Sequence, residues 1–207
     1  MRPVLITQRV DVVASHGERR DALDQRWPRF LAACGFLALP VPNDPAIIPT
    51  LVETLAPAGI VFSGGNDLAC LGGDVPERDA VEAALLDFAR RRGLPVLGVC
   101  RGTQFLLDRL GARVEPVAGH VAVRHPVGAD GMVVNSYHAH GARRLAPPLE
   151  TLATSPDGVV EAFRHGGEAI GGVMWHPERE EPFSARDIAM VREFLEAGTL
   201  RIRKENA

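Results

Sequence analysis

The sequence lacks long hydrophobic runs, a recognisable export signal and a large net charge. None of its apolar runs approaches the ~18 residues that a membrane-spanning helix needs, so neither a transmembrane segment nor a membrane partner is predicted. Residues 1–8 lead straight into a strand pattern and show neither the hydrophobic core nor the cleavage site of a signal peptide. The net charge of −3 argues against a nucleic-acid-binding domain.

Cysteine is also scarce. Cys34, Cys70 and Cys100 are too few and too irregularly spaced for a disulfide framework, which predicts a reduced, cytoplasmic protein. The apolar fraction of 46% is ordinary for a globular chain, and 207 residues suffice for one well-buried domain. We expect a single α/β domain over residues 1–207 with a frayed, charged tail at 201–207. A monomer and a homo-oligomer are both compatible with this composition.

The most informative stretch is residues 94–106, Leu-Pro-Val-Leu-Gly-Val-Cys-Arg-Gly-Thr-Gln-Phe-Leu. Its apolar start predicts a buried parallel strand, and a helical pattern follows at once. The join has the Gly-x-nucleophile-x-Gly form of a nucleophile elbow, with Cys100 at the helix N-terminus, where the helix dipole favours a thiolate. Gly98 and Gly102 are needed because a sharp strand-to-helix turn leaves no room for a Cβ atom. A buried structural cysteine is the alternative interpretation.

Strands and helices alternate in the first half of the chain, which predicts a right-handed, doubly wound, mostly parallel α/β sheet. After residue 112 the pattern changes to short strands, which predicts a small antiparallel β addition. Strands are predicted at 3–8, 36–41, 59–62, 96–99, 113–116, 120–125, 132–134, 151–154, 159–164 and 169–175. Helices are predicted at 21–34, 47–55, 78–92, from 101 and at 185–195, with a polar loop at 11–20. Pro28 predicts a kink or a late start in the first helix.

A cysteine nucleophile needs a base, a group that orients the base, and donors for an oxyanion. His176 and Glu178 follow an apolar strand, and in an extended chain residues i and i+2 share a face. Glu178 can therefore hold one imidazole nitrogen and leave the other for Cys100, although a surface His and Glu in a turn is the alternative. A Ser-Gly-Gly turn that ends at Gly65 and the N–H of Arg101 are candidate oxyanion donors.

These pieces follow apolar strands, and open α/β sheets bind ligands at the carboxyl ends of their strands. The Gly-Gly loop, the Gly-Val-Cys-Arg-Gly-Thr-Gln elbow and the final Trp-His-Pro-Glu resemble, in order, the three signatures of class I glutamine amidotransferases. The resemblance covers nearly the whole chain. It implies the sheet of that family, a triad of Cys100, His176 and Glu178, and an oxyanion hole at Gly65 and Arg101. No cofactor is expected.

The resemblance also implies contacts to the substrate. Gln104, one helical turn past the nucleophile, would contact the glutamyl group, although an ordinary surface glutamine is the alternative. The segment Val-Asn-Ser-Tyr-His-Ala-His at 134–140 matches the family segment that binds the substrate's α-carboxylate and α-amino groups. The candidate residues in it are Asn135, Ser136, Tyr137 and His138.

Two histidines in this segment, His138 and His140, could suggest a metal. They lack a third ligand at a useful spacing, and no Cys/His cluster elsewhere has zinc-binding spacing. The sequence therefore predicts no metal site.

Within the family, the chain is similar to free-standing hydrolases of the γ-glutamyl-γ-aminobutyrate hydrolase type, through residues 135–138 and 156–162, although it is shorter. Segments 22–27, 63–68 and 174–181 are similar to enzymes that hydrolyse γ-glutamyl-CDP-amidate in capsule phosphoramidate synthesis. The resemblance implies a small γ-glutamyl substrate, a thioester and release of glutamate. The alternatives are γ-glutamyl-γ-aminobutyrate as the substrate, or a glutaminase subunit that delivers ammonia to a separate synthase.

Arginines near the predicted mouth of the site suggest an anionic, nucleotide-linked leaving group. Arg19, Arg20 and Arg26 lie in or beside the segments that follow the first strand, at the same sheet edge as Cys100. The planar fork of arginine suits phosphate. The resemblance favours Arg26 as a substrate-binding residue, whereas Arg19 and Arg20 are more simply solvated surface charges.

Overall fold

The computed structural model describes residues 1–202, which contain thirteen strands and five α-helices. The strands are β1 (Arg2–Thr7), β2 (Arg9–Val13), β3 (Glu18–Ala22), β4 (Phe36–Val41), β5 (Gly59–Phe62), β6 (Val96–Val99), β7 (Glu115–Pro116), β8 (Val121–Val127), β9 (Met132–Tyr137), β10 (His140–Gly141), β11 (Leu149–Thr154), β12 (Val160–His165) and β13 (Ile170–Val173). The helices are α1 (Arg26–Ala33), α2 (Ile48–Leu55), α3 (Pro76–Arg92), α4 (Arg101–Arg109) and α5 (Ala185–Ala197). None of these helices is both long and apolar enough to cross a membrane.

Seven strands form the central sheet, in the order β11-β12-β13-β6-β5-β1-β4. The run from β13 to β4 is parallel, and β11 and β12 add to it in antiparallel fashion. Every residue of β5, β6 and β13 is buried, as expected of short apolar strands covered by helices on both faces. The prediction of a mostly parallel α/β sheet with a small antiparallel addition is confirmed.

Helices cover both faces of the sheet and create two apolar cores. One core packs α1 and α5 against one face, with Trp27, Phe30 and Phe194 among its largest side chains. The other packs α2, α3 and α4 against the opposite face, with Phe62 and Phe105 edge to face at its centre. Since both faces are closed, the carboxyl edge of the parallel strands is left as the place for a ligand.

The prediction of a loop at residues 11–20 is wrong, because this segment belongs to the antiparallel hairpin of β2 and β3. Its residues are largely exposed on both faces, so the alternation of polar and apolar residues that identifies a strand is missing. The same hairpin shortens the predicted first helix, which starts at Arg26 rather than at residue 21. Pro28 is therefore in the first turn of α1, where proline is tolerated.

The other predicted elements are present, with shifted ends. Helix α3 begins at Pro76, in keeping with the preference for proline at the first helical position, and not at residue 78. The second strand of the β8–β9 hairpin runs to Tyr137 rather than to residue 134, so the predicted substrate segment is partly a strand. Residues 203–207 of the predicted frayed tail lie outside the described part of the chain.

Candidate active site

The chain turns from β6 into α4 at Cys100. The backbone at Cys100 has φ of 52° and ψ of −106°, a conformation that a side-chain-bearing residue rarely adopts. A Cβ atom on Gly98 would lie 2.6 Å from the backbone nitrogen of Thr103, and one on Gly102 would lie 2.0 Å from the carbonyl oxygen of Phe62. The predicted reason for both glycines, close backbone approach at an elbow, is thus confirmed.

His176 and Glu178 lie at the carboxyl end of β13, which is paired with the elbow strand β6. The Nδ1 atom of His176 is 2.7 Å from Oε1 of Glu178, and both side chains are buried. Glu178 reaches the ring from a 3₁₀ turn over Pro177–Arg179, so the extended backbone expected at this point is not the reason for the contact. Cys100 lines the same cavity as this imidazole, whose Nε2 atom is the nitrogen that Glu178 leaves free.

The charges around His176 favour its protonated form. Burial disfavours the imidazolium, but the negative charges of Cys100 and Glu178 outweigh it and raise the pKa of His176 to about 10. At neutral pH the ring therefore carries both protons. Such an imidazolium beside a sulfur nucleophile can donate a proton to a leaving amine.

The Ser63–Gly65 loop is fixed by a residue that sequence reasoning missed. The fully buried guanidinium of Arg78 donates to the carbonyl oxygens of Ser63, Gly64 and Gly65, at 2.7 Å and 3.1 Å for the first two, and to Glu82 at 3.1 Å. Because a trans peptide points its C=O and N–H groups in opposite directions, the N–H of Gly65 is directed away from Arg78. Arg78 and Glu82 are four residues apart on the buried face of α3. A pair of opposite charges at this spacing among apolar residues is the sequence pattern that could have identified Arg78.

The Ser63–Gly65 loop also contacts His176. A Cβ atom on Gly64 would lie 2.6 Å from Cε1 of His176, so the ring rests directly on this glycine. Gly65 and Arg101, the predicted oxyanion donors, line the same cavity of about 400 Å³ as Cys100 and His176. The side chain of Arg101 is buried in ion pairs with Asp79 and Glu82, which leaves its backbone as the part that can serve a substrate.

The predicted substrate-binding residues divide into two groups. Gln104, Tyr137 and His138 line the cavity, and the Tyr137 ring stands edge-on to the imidazole of His176. Asn135 instead exchanges two 2.9 Å hydrogen bonds with the backbone of His176, and Ser136 donates to the carbonyl oxygen of His120. The amide nitrogen of Gln104 donates to the carbonyl oxygen of His140, so Gln104 also braces the cavity wall.

Arg26 lines neither this cavity nor a second one of about 290 Å³, whose walls include Arg9, Gly64, His176 and Arg179. Its guanidinium donates to the carbonyl oxygen of Arg179, while Arg19 pairs with Glu77 and Arg20 with Glu18. The arginines that do face the two cavities are Arg9, Arg101 and Arg179. The guanidinium of Arg179 lies 4.7 Å from the centre of the Tyr137 ring.

The two histidines considered for a metal are separated by the fold. His140 lies near Asp67, whereas His138 is next to His120, His125 and Glu161. The side chains next to His138 come from distant parts of the chain, which the spacing of residues along the sequence does not reveal.

Comparison with known proteins identifies the family. The sequence profile described as glutamine amidotransferase class-I matches residues 28–196. The chain is 31% identical to γ-glutamyl-CDP-amidate hydrolase of Campylobacter jejuni, over 84% of this chain and 89% of that protein. It is 28% identical to γ-glutamyl-γ-aminobutyrate hydrolase PuuD of Escherichia coli K12, over 78% and 80% of the two chains.

A solved structure agrees with the fold. It is a protein of Thermoplasma acidophilum provisionally assigned to GMP synthase, with a TM-score of 0.70 at 22% identity, covering 94% of this chain and 92% of that one. The resemblance carried by the Gly-Gly loop, the elbow and the Trp-His-Pro-Glu segment is thus confirmed. The chain belongs to the class I glutamine amidotransferase family.

Proposed function

We propose that this protein hydrolyses a γ-glutamyl amide through a thioester on Cys100. The observation that carries the proposal is the chain of buried contacts from Cys100 to His176 and from His176 to Glu178, at the carboxyl edge of the parallel strands. The C. jejuni and E. coli relatives, both named for γ-glutamyl substrates, support it.

In the proposed reaction the Cys100 sulfur attacks the γ-carbonyl carbon, and a tetrahedral oxyanion forms. The N–H groups of Gly65 and Arg101 hydrogen-bond this oxygen, which is why the position of the Ser63–Gly65 loop matters. His176 gives its proton to the leaving nitrogen as the C–N bond breaks, while Glu178 keeps the ring oriented. His176 then takes a proton from a water molecule, whose oxygen attacks the thioester carbonyl carbon. The C–S bond breaks, which releases glutamate and restores the unprotonated Cys100 sulfur beside protonated His176.

The wall made by Gln104, Tyr137 and the backbone of His138 is the proposed binding surface for the glutamyl group, because these residues line the cavity beside Cys100. The ring of His138 is buried and is directed away from the cavity, toward Glu161. Asn135 and Ser136 act indirectly, since their side chains are used to hold the backbone of His176 and His120.

We further propose that the leaving group is anionic and nucleotide-linked, such as CDP-amidate. The C. jejuni relative bears that substrate in its name, and Arg9 and Arg179 face the cavities where a leaving group would lie. Arg179, rather than Arg26, is the proposed ligand of the anionic leaving group. The guanidinium of Arg26 instead donates to the carbonyl oxygen of Arg179. γ-Glutamyl-γ-aminobutyrate is the second candidate, on the evidence of the E. coli relative.

The first test measures glutamate release from a panel of γ-glutamyl-CDP-amidate, γ-glutamyl-γ-aminobutyrate and glutamine. We expect turnover by the wild type without a partner protein, and loss of at least about a thousandfold in Cys100→Ala, because the nucleophile is gone. Cys70→Ala is the matched control, since Cys70 is exposed and outside both cavities. Near-wild-type turnover by Cys100→Ala would rule out the thioester route, and activity only with an added synthase would favour an ammonia-delivering subunit.

The second test compares Arg179→Ala with Arg26→Ala on an anionic and a neutral γ-glutamyl amide. Losing a desolvated contact between Arg179 and phosphate costs about 2–5 kcal/mol, so kcat/KM for the anionic substrate falls by more than about tenfold. Turnover of the neutral amide changes little, and Arg26→Ala affects both substrates alike. Equal losses on the two substrates in Arg179→Ala would contradict an anionic leaving group.

A further inference from the structure

Four side chains with metal-binding atoms converge beside the active site. They are His120, His125, His138 and Glu161, and one ligand atom from each lies within 4.8 Å of all the others. His120 immediately precedes β8 and His125 lies within it, His138 follows β9, and Glu161 is on β12 of the central sheet. The cluster therefore joins the β8–β9 hairpin to the main sheet.

The atoms that face one another in this cluster have no hydrogen-bond partners. They are Nδ1 of His120, Nε2 of His125, Nε2 of His138 and both carboxylate oxygens of Glu161. His120, His138 and Glu161 are between 0% and 3% exposed, so bulk water does not reach these groups. Buried polar atoms are almost always paired, and four residues whose unpaired ligand atoms lie within 4.8 Å of one another indicate a missing ligand.

The outward-facing nitrogens fix which ring atoms carry protons. Nδ1 of His138 is 3.1 Å from the carbonyl oxygen of His140, and a carbonyl can only accept. Nε2 of His120 is 3.3 Å from a carboxylate oxygen of Asp157, which likewise accepts. In each ring the inward nitrogen then presents its lone pair to the centre. This outer hydrogen bond to a carboxylate or a carbonyl is the usual support of a metal-bound histidine.

The spacing of the ligand atoms suits a small tetrahedral ion. Oε1 of Glu161 is 3.2 Å from His120 Nδ1, 3.5 Å from His138 Nε2 and 3.6 Å from His125 Nε2. Ligands 2.0–2.1 Å from a tetrahedral centre stand about 3.3–3.4 Å apart, so these separations need little adjustment. Three imidazoles and one carboxylate favour zinc over Mg²⁺ or Ca²⁺, which prefer oxygen ligands.

We propose that His120, His125, His138 and Glu161 bind one Zn²⁺ ion that fastens the β8–β9 hairpin to the central sheet. Four protein ligands complete a tetrahedron and leave no open position, so the ion is structural and takes no part in the hydrolysis. Its effect reaches the active site through two short links. Asn135 on the hairpin holds the backbone of His176, and the carbonyl of Glu161 accepts from Met174, two residues before His176.

The test measures zinc in untagged protein after dialysis, by elemental analysis and by competition with a chromophoric chelator. We expect about one zinc per chain, and a lower Tm after the metal is stripped with EDTA, because an ion that binds only the folded state stabilises it. Replacement by Co²⁺ gives the visible absorption bands of a four-coordinate ion. These readouts do not depend on any substrate, so they stand even if no γ-glutamyl amide is hydrolysed.

Variants locate the ion. His125→Asn removes a ligand. Asp157→Ala removes the carboxylate that accepts the outer hydrogen bond of His120, which should weaken zinc binding about 10–100-fold. His16→Asn, an exposed histidine on the β2–β3 turn, is the matched control and keeps full affinity. Zinc binding is also retained in Cys100→Ala, which excludes a thiolate site.

Three results would overturn the proposal. The first is that wild-type protein binds no zinc against the chelator and shows no tetrahedral cobalt spectrum, as expected if the cluster is only a protonated histidine paired with Glu161. The second is equal affinity in His125→Asn and His16→Asn. The third is loss of zinc on removal of Cys100. The wild-type measurements decide the question even if a ligand variant fails to fold.

Discussion

The two walls of the cavity over Cys100 are held in different ways. The elbow wall, made of the Ser63–Gly65 loop and the N-terminus of α4, rests on buried charges that already have partners, since Arg78 and Arg101 both pair with Glu82. The hairpin wall, made of β8, β9 and the residues to His140, is attached through Asn135 and through the cluster of His120, His125, His138 and Glu161, whose facing atoms are unpaired. Thus the elbow wall is complete in the protein alone, whereas the hairpin wall has a place for an ion.

The two walls of the cavity have different tasks in the proposed reaction. The elbow wall holds the atoms that must be positioned for the chemistry, and pre-organised donors are most effective when nothing has to move. The hairpin wall is the proposed substrate surface, and its Asn135 holds the backbone of His176. The proposed ion between sheet and hairpin contacts only the hairpin wall. Substitutions in the elbow wall and in the hairpin wall should therefore have different effects on stability and turnover.

The largest expected effect follows from breaking the elbow wall at Arg78. Arg78→Met leaves three loop carbonyls without their donor and removes one cation from Glu82, and breaking a buried ion pair costs about 3–5 kcal/mol. We expect this loss in the free energy of urea unfolding, together with loss of glutamate release. The exposed pair of Arg90 and Glu168 supplies the control, since Glu168→Gln should cost less than about 1 kcal/mol. Similar losses in the two variants would mean that the buried network does not hold the loop.

A smaller effect, confined to the chemistry, is expected at Gly64. The Cβ atom of Gly64→Ala would lie 2.6 Å from Cε1 of His176 and push the ring from its place. Because a misplacement of about 1 Å can cost a hundredfold, we expect kcat to fall by about that factor. Gly167→Ala is the matched control, since a Cβ atom there meets nothing closer than 3.9 Å. An unchanged kcat would show that the ring does not depend on this contact.

The hairpin wall should respond more mildly when its attachment to His176 is removed. Asn135→Ala leaves the buried N–H of His176 unpaired and removes one of the two donors to its C=O, which keeps the N–H of Arg179. An unpaired buried donor costs about 1–3 kcal/mol, so kcat/KM should fall by roughly tenfold or somewhat more. Arg124→Ala, an exposed change on the same hairpin, is expected to leave kcat/KM unchanged. Zinc binding should persist in both variants. If Asn135→Ala were as active as Arg124→Ala, the hairpin would not position the base.

The smallest expected effect is a pH dependence of stability and kcat that is set by His176, whose ring rests on Gly64 of the elbow wall. The folded pKa of His176, about 10, lies above its unfolded value, so the imidazolium contributes stability below pH ~6.5 that is lost as pH rises through ~10. Turnover needs the same proton, and raising the pH from 8 to about 10 should lower kcat about twofold. Circular dichroism checks that the protein stays folded. A fall centred near pH 6.5 would contradict the coupling of His176 to Cys100 and Glu178.

The sequence was most informative where neighbours along the chain are also neighbours in space. The elbow, the Gly-Gly loop and the His-x-Glu pair are short local patterns, and the sheet follows from the alternation of strands and helices. Glu178 was placed next to His176 for the wrong local reason, since the 3₁₀ turn rather than an extended strand brings them together.

The rest depends on strand register and burial, which a single sequence does not display. The cluster of His120, His125, His138 and Glu161 is spread over about forty residues of the sequence. Its members meet because β8 pairs with β9 and the three histidine side chains approach Glu161 on β12. The β2–β3 hairpin has no hydrophobic alternation, so it was not predicted. Arg26 is the first residue of α1 after this hairpin, and its guanidinium donates to the carbonyl oxygen of Arg179. Arg78 could have been singled out from its helical spacing to Glu82 on a buried face.

The central claim is the thioester on Cys100, and intact-mass spectrometry tests it most directly. Wild-type protein is mixed with a γ-glutamyl amide, quenched in acid during turnover and digested for peptide mapping. We predict a glutamyl adduct on the peptide that contains Cys100, and its absence in Cys100→Ala and after turnover is complete. Glutamate release that continues in wild type and in Cys100→Ala with no adduct at any time would contradict the account.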